Sequence, residues 1–171
     1  QYIKLLADEY RTSRRLTDAI ALQERWIELA GAQAQSSDHA TAFVRLAGMY
    51  TDQRNYIRAA QAYEESLKLE TNPAKQNATR LELADIYIDH TGNFPGAEAL
   101  YRKYLEEGYP RDLTNLGVRE RTDLRSRRYR ILRNLTSIDR RSAHTDREKA
   151  GLAQARAQFL EIEAEHTKLD Q

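Results

Sequence analysis

The sequence predicts an all-α protein: a right-handed α-solenoid of helical hairpins over residues 1–110, then a C-terminal basic segment and helical pair over 111–171. Three observations carry that prediction. Between Phe43 and Leu69 the chain reads Phe43-x2-Leu46-Ala47-x2-Tyr50, then five residues, then Tyr56-x2-Ala59-x3-Tyr63, with Leu67 and Leu69 behind it. Apolar residues at i, i+3, i+4 and i+7 on both sides of a polar break describe two short amphipathic helices joined by a tight corner. The pattern recurs upstream as Ile3-x2-Leu6-Ala7-x2-Tyr10 with Leu16-x2-Ala19, and downstream as Leu83-Ala84-x2-Tyr87 with Phe94-x2-Ala97-x3-Tyr101. Its landmark tyrosines Tyr10, Tyr50 and Tyr87 lie 40 and 37 residues apart, a period that points to stacked repeats. Finally, only three prolines and seven glycines interrupt 171 residues, which leaves room for long helices.

Local chemistry places each element. The first hairpin pairs a helix from about Gln1 to Thr12 with one from Leu16 to Ala30. Ala7 and Ala19 sit at its crossing, where a small side chain lets two helices approach to about 8–10 Å. Gly31 suits the C-cap, and Ser36, Ser37 or Asp38 can cap the next helix. The second hairpin turns at Gln53-Arg54-Asn55 and ends near Glu70. Asn72-Pro73 reads as N-cap plus Pro at the first helical position, opening the third. That helix closes at Thr91-Gly92-Asn93, and its return, begun by Phe94-Pro95-Gly96, stops at Gly108-Tyr109-Pro110.

Beyond Pro110 the repeat is lost. A helix from about Glu120 to Asp139 places Leu124, Arg128, Ile131, Leu135 and Ile138 on one stripe. Thr145-x-x-Glu148 has the capping-box pattern and opens a last helix carrying Leu152, Ala155, Phe159, Ile162 and Leu169. This pair reads as a cap or as a degenerate fourth repeat. The polar, acidic outer face of the last helix favours the cap, as a terminal element requires.

The repeated Leu-Ala-x2-Tyr with its matching second half resembles the tetratricopeptide repeat. Phe43 stands at that family's Trp position, Ala7, Ala47 and Ala84 replace its Gly, and Tyr63 and Tyr101 replace its Phe. The departures are Gln23 where an aromatic is expected, Arg80 at the third Trp position, and a period longer than the usual ~34 residues. The extra residues are expected between hairpins, at Gly31–Asp38 and Thr71–Asn77. The resemblance covers about residues 1–110 and implies a solenoid whose first helices line a peptide-binding groove. In members that grip a C-terminal carboxylate, Lys and Asn stand at set places there. Here the slot two residues before each landmark tyrosine holds Asp8, Gly48 and Asp85, so that clamp is not carried over. Lys4, Asp8, Arg11, Arg45, Asp52, Asp85 and Asp89 would instead line a mixed, acid-leaning groove suited to a basic or polar segment of another protein.

Composition narrows the function class. With no cysteine, disulfides, thiol chemistry and thiolate metal sites are excluded. No run of 18 or more apolar residues exists, so no membrane span is expected. The chain opens inside a repeat helix without Met or a signal-peptide pattern and reads as a piece of something longer; its compartment and oligomeric state stay open. The net charge of +1 is unevenly spread: 13 basic and 16 acidic side chains in 1–110, 11 and 5 in 111–147, 3 and 5 in 148–171. The basic excess centres on Arg119, Arg121, Arg125, Arg127, Arg128, Arg130 and Arg133. Guanidinium is a bidentate ligand for anions, so this run reads as a phosphate site, a docking face for an acidic protein, or a solvated face. The spacing of Arg121, Arg125 and Arg128, with Arg128 on the Leu124–Ile131 stripe, favours a helix interface over a phosphate track.

The histidines 39, 90, 144 and 166 are far apart and expected in loops or on polar faces. Glu163-x-x-His166 has a carboxylate–imidazole spacing known from helical metal sites, but these need further inward carboxylates on facing helices. No nucleophile constellation or Gly-rich phosphate loop is present, so neither enzyme activity nor a cofactor is expected. Most of the ten tyrosines fall at packing positions; Tyr2, Tyr109 and Tyr129 do not. The expected function is a non-catalytic protein–protein interaction scaffold. The alternatives are nucleic-acid or polyanion binding through residues 119–133, or an accessory module of a bacterial secretion or polysaccharide-export machine.

Overall fold

The computed structural model describes residues 15–30, 36–110, 112–142 and 157. The expected helix over Gln1–Thr12, Gly31, the Thr145 capping box and the last helix with Glu163 and His166 lie outside the described residues. Within the described residues the chain is helical without strands: α1 (Leu16–Ala30), α2 (Ser36–Asp52), α3 (Tyr56–Leu69), α4 (Pro73–Ile86), α5 (Phe94–Lys103) and α6 (Val118–Ser142). Short π-helical turns, Tyr87–Thr91 and Tyr104–Gly108, extend α4 and α5. The fold is an α-solenoid of helical hairpins. The chain divides into two units between Gly108 and Tyr109.

In the first unit α2 packs on α3 and α4 on α5, while α1 meets α2 and α3 meets α4, so α2, α3 and α4 each lie between their sequence neighbours. Small residues decide where they cross. Ala19, Ala47, Ala59, Ala84 and Ala97 are all 0% exposed, as backbones in close approach require. Tyr50, Tyr63, Tyr87 and Tyr101 are buried around them.

The corners follow the residues that permit them. The α2–α3 corner needs a left-handed residue, and Arg54 takes it with φ 61°. Asn55 then caps α3, its Oδ1 accepting from Arg58 N–H. Asn72 caps α4 by accepting from the N–H groups of Ala74 and Lys75, with Pro73 at the first helical position. Gly92 ends the π turn at φ 70°, a conformation that costs glycine nothing. Asn93 caps α5, accepting from Gly96 N–H.

Part of the sequence expectation is corrected at the hairpin junctions. The extra residues of the longer period do not all form loops. Residues 36–38 and 73–77 are helical, so the first helix of the second and third hairpins begins seven residues before Phe43 and Arg80. The gain is intrahelical hydrogen bonding where a loop would need other partners. The short linker left between α3 and α4 is tied down by Glu70, a buried carboxylate. Its Oε1 accepts from the N–H groups of Thr71 (3.0 Å) and Asn72 (2.9 Å).

In the second unit α6 starts two residues before the expected Glu120. The reason is local: the Glu120 carboxylate reaches back to accept from Gly117 N–H at 3.1 Å, the second half of a capping box. Ile131, Leu135 and Ile138 are buried, and Leu124 and Arg128 half-buried, along the expected stripe. Before the helix, Asp112 accepts from the Thr114 hydroxyl and N–H, and these bonds hold its carboxyl below the ordinary carboxylate value.

Candidate protein-interaction surface

The hairpin junctions separate the side chains that hold the repeats together from those left on the surface. The two landmark tyrosines among the described residues bond backward. Tyr50 on α2 donates its hydroxyl to Glu24 on α1, and Tyr87 at the end of α4 donates to Glu64 on α3. Burial first, and then the carboxylate partner, push both phenols above their ordinary value of 10.0. Arg58 works against that rise at Tyr50, its guanidinium lying 5.7 Å from the ring centroid.

The two departures from the repeat pattern are also structural. Gln23, 1% exposed, donates its side-chain amide to the Ala42 carbonyl of α2 at 3.1 Å, so a hydrogen bond stands where packing of a ring was expected. Arg80 is 8% exposed at the Trp position. Its guanidinium donates to Asn77 Oδ1 (2.7 Å) and Gln76 Oε1 (3.3 Å) and pairs with Glu107 Oε2 (3.0 Å). A buried charge is tolerable when its donors are met this way.

The expectation that the histidines sit in loops or on polar faces is corrected at His39. It lies between hairpins, half-buried, against Trp26 of α1 and Phe43 of α2 with ring centroids 6.3 and 5.4 Å away. Its Nε2 is 3.2 Å from the Ile27 carbonyl. The i, i+4 spacing to Phe43 is what turns it inward. His90 is exposed but stacks on Tyr56 at 3.5 Å and 4°. Tyr109, with no packing role expected, lies under the Arg128 guanidinium at 4.8 Å.

Charged side chains stand on the described first helices, α2 and α4. Of the groove residues read from sequence, Lys4, Asp8 and Arg11 lie outside the described residues. Arg45 and Asp52 are on α2, half-buried and exposed; Asp85 is half-buried on α4, and Asp89 is exposed on the π turn after it. Asp85 also accepts the Tyr101 hydroxyl of its own hairpin at 2.5 Å. Shifting by the 37-residue interval pairs Arg45 with Glu82, Gly48 with Asp85, and Asp52 with Asp89. Glu82 is exposed and belongs to this row, although the spacing around the landmark tyrosines did not single it out. Applying the period to Arg45 finds it. Glu82 and Asp85, three residues apart on α4, share one helix face, and Asp89 follows on the π turn.

The basic run divides by the same geometry. Arg121, Arg125 and Arg128 are half-buried beside the apolar stripe, whereas Arg119, Arg127, Arg130 and Arg133 are exposed. Among the described residues no helix is long and apolar enough to cross a membrane.

No protein-family profile matches the chain. It is 41% identical over 66 residues to photosystem I assembly protein Ycf3 of Synechococcus sp. strain WH7803, a match covering 37% of this chain and 38% of that protein. The solved structure of BtubC (BKLC) from P. vanneervenii aligns over 92% of this chain and 63% of its own length, with TM-score 0.60 and 17% identity. A Podospora anserina putative kinesin light chain of nearly identical TPR-like repeats aligns over 95% and 75%, with TM-score 0.60 and 15% identity. At these identities the likeness is one of fold. Together with the helix pairs, buried crossing alanines and recurring tyrosines, it makes the first unit a tetratricopeptide-like α-solenoid.

Proposed function

We propose that the chain is a protein-interaction scaffold, non-catalytic, whose first-helix face holds a basic or polar segment of a partner protein. The observation that carries this reading is a row of charged side chains on successive first helices, charged at the same places of the hairpin interval in Arg45 with Glu82 and Asp52 with Asp89, and joined by Asp85. Buried alanines and tyrosines hold the hairpins together, and Asp85 of the row also serves them by accepting the Tyr101 hydroxyl. Stacked helix pairs suit such use because the packing and the exposed face draw on different side chains. Electrostatic complementarity of this kind sets partner choice and encounter rate more than raw affinity. Similarity to a protein named for the assembly of photosystem I supports a role in bringing partners together within a larger assembly.

The test is fluorescence anisotropy of a labelled Lys- and Arg-rich peptide of about 15 residues against the full chain. Asp52→Lys and Glu82→Lys together should weaken binding about tenfold at ~150 mM salt, where only close charges still interact. An affinity unchanged by both substitutions would overturn the reading.

A further inference from the structure

The outward half of α6 is a surface that the groove does not use. Val118 is 73% exposed and Tyr129 53% exposed, two of the four large hydrophobics left open to solvent among the described residues. Each is followed by an exposed arginine, Arg119 and Arg130. The two pairs, Val118-Arg119 and Tyr129-Arg130, are eleven residues apart. Eleven residues are close to three α-helical turns, so the same apolar–cationic pair is presented twice in one orientation, about 16 Å apart. Arg133, also exposed, stands about one turn beyond them.

We propose that this face of α6 docks an acidic amphipathic helix of a partner protein, its apolar side chains meeting Val118 and Tyr129 and its carboxylates meeting Arg119, Arg130 and Arg133. Three arguments fix that occupant. Charge demands an anionic ligand. The apolar members of each pair fit a protein better than a phosphate backbone, since exposed Tyr with Arg is the composition of protein-binding hot spots and a lone aromatic offers no stacking platform for bases. The surface of a helix has no free backbone groups with which to pair a strand, whereas a helical ligand arrives with its own backbone already hydrogen-bonded. A helical ligand whose apolar–acidic pairs also repeat every eleven residues keeps both in register.

The experiment uses the full chain and three labelled probes at ~150 mM salt. One is a helical peptide of about 20 residues with two Leu-Glu pairs eleven apart; the second has the same composition with the pairs nine apart, on opposite sides of the helix; the third is a single-stranded oligonucleotide. The in-register peptide should bind about tenfold tighter than the out-of-register one, and Tyr129→Ala or Arg133→Glu should each remove most of that advantage. Arg127→Glu, off the line of the pairs, should change it less. Circular dichroism of each variant checks that helicity is retained. Equal affinity for the two peptides, no binding of either, or tighter binding of the oligonucleotide would each overturn the proposal. Glu82→Lys should leave this binding unchanged, so its outcome is separate from that of the groove.

Discussion

The second and third hairpins are built on one plan and filled differently. In both, the crossing residues are fully buried alanines, Ala47 with Ala59 and Ala84 with Ala97. In both, the landmark tyrosine reaches back to a glutamate on the preceding helix. Around that frame the chemistry diverges. Phe43 is replaced by the hydrogen-bonded cation Arg80. Arg58, which covers the Tyr50 ring, is replaced by Gly96, where an added Cβ would come within 2.8 Å of the Tyr87 ring. Glu64 is replaced by Arg102, whose Nε turns back to Glu98 of its own helix at 2.8 Å. The lesson is that the small, fully buried crossing residue is the invariant. A polar residue can stand at an apolar position if its donors are met, but a large residue cannot stand at the crossing.

Enlarging the crossing should therefore have the largest effect, and a similar one in each hairpin. Ala59→Leu and Ala97→Leu should each cost on the order of 1–3 kcal/mol by overpacking, read by urea denaturation. A variant that melts with the parent would show that these alanines do not set the helix crossing. Gly96→Ala comes next and sharpens the contrast, because its Cβ would also lie 2.6 Å from Asn93 Nδ2. A loss of about 1–2 kcal/mol is expected from the forced shift, whereas Arg58→Ala at the equivalent place should cost well under that, roughly 0.5 kcal/mol.

The tyrosine–glutamate bonds should yield a smaller effect with a pH signature. Tyr87→Phe removes a hydroxyl bonded to a carboxylate and should cost about 1–2 kcal/mol. The folded state raises the Tyr87 phenol above 10.0, so above that pH the unfolded chain loses a proton that the folded chain keeps. Stability from this group is whole below pH 10 and falls as pH rises beyond it. Thermal melts should show a decline on the alkaline side that is shallower in Tyr87→Phe; an identical decline would remove the phenol from the cause. A small change is also expected for Arg80→Met. It removes the guanidinium together with its need for acceptors, keeps most of the volume, and should stay within about 1 kcal/mol of the parent. A loss like that of Ala59→Leu would mean the ion pair with Glu107 supports the hairpin more than a buried side chain of that size does.

Sequence periodicity alone determined the second and third helix pairs, their corners and their crossing alanines Ala47, Ala59, Ala84 and Ala97. These depend on residues close in the chain: spacing at i, i+3 and i+4, Asn and Pro at helix starts, and a glycine where φ must be positive. Arg45, Asp52, Asp85 and Asp89 were picked out by their places beside the landmark tyrosines, whereas Glu82 emerged only when the interval was applied position by position. Tertiary structure decided what a local pattern cannot carry, namely the partner across a junction. It turned His39 inward between Trp26 and Phe43, matched Gln23 with the Ala42 carbonyl, gave Arg80 its acceptors, and tied Tyr50 and Tyr87 to Glu24 and Glu64. It also divided one run of arginines into half-buried and exposed sets. Composition counts charges, but only the rotation of α6 relative to its buried stripe determines which of them face water.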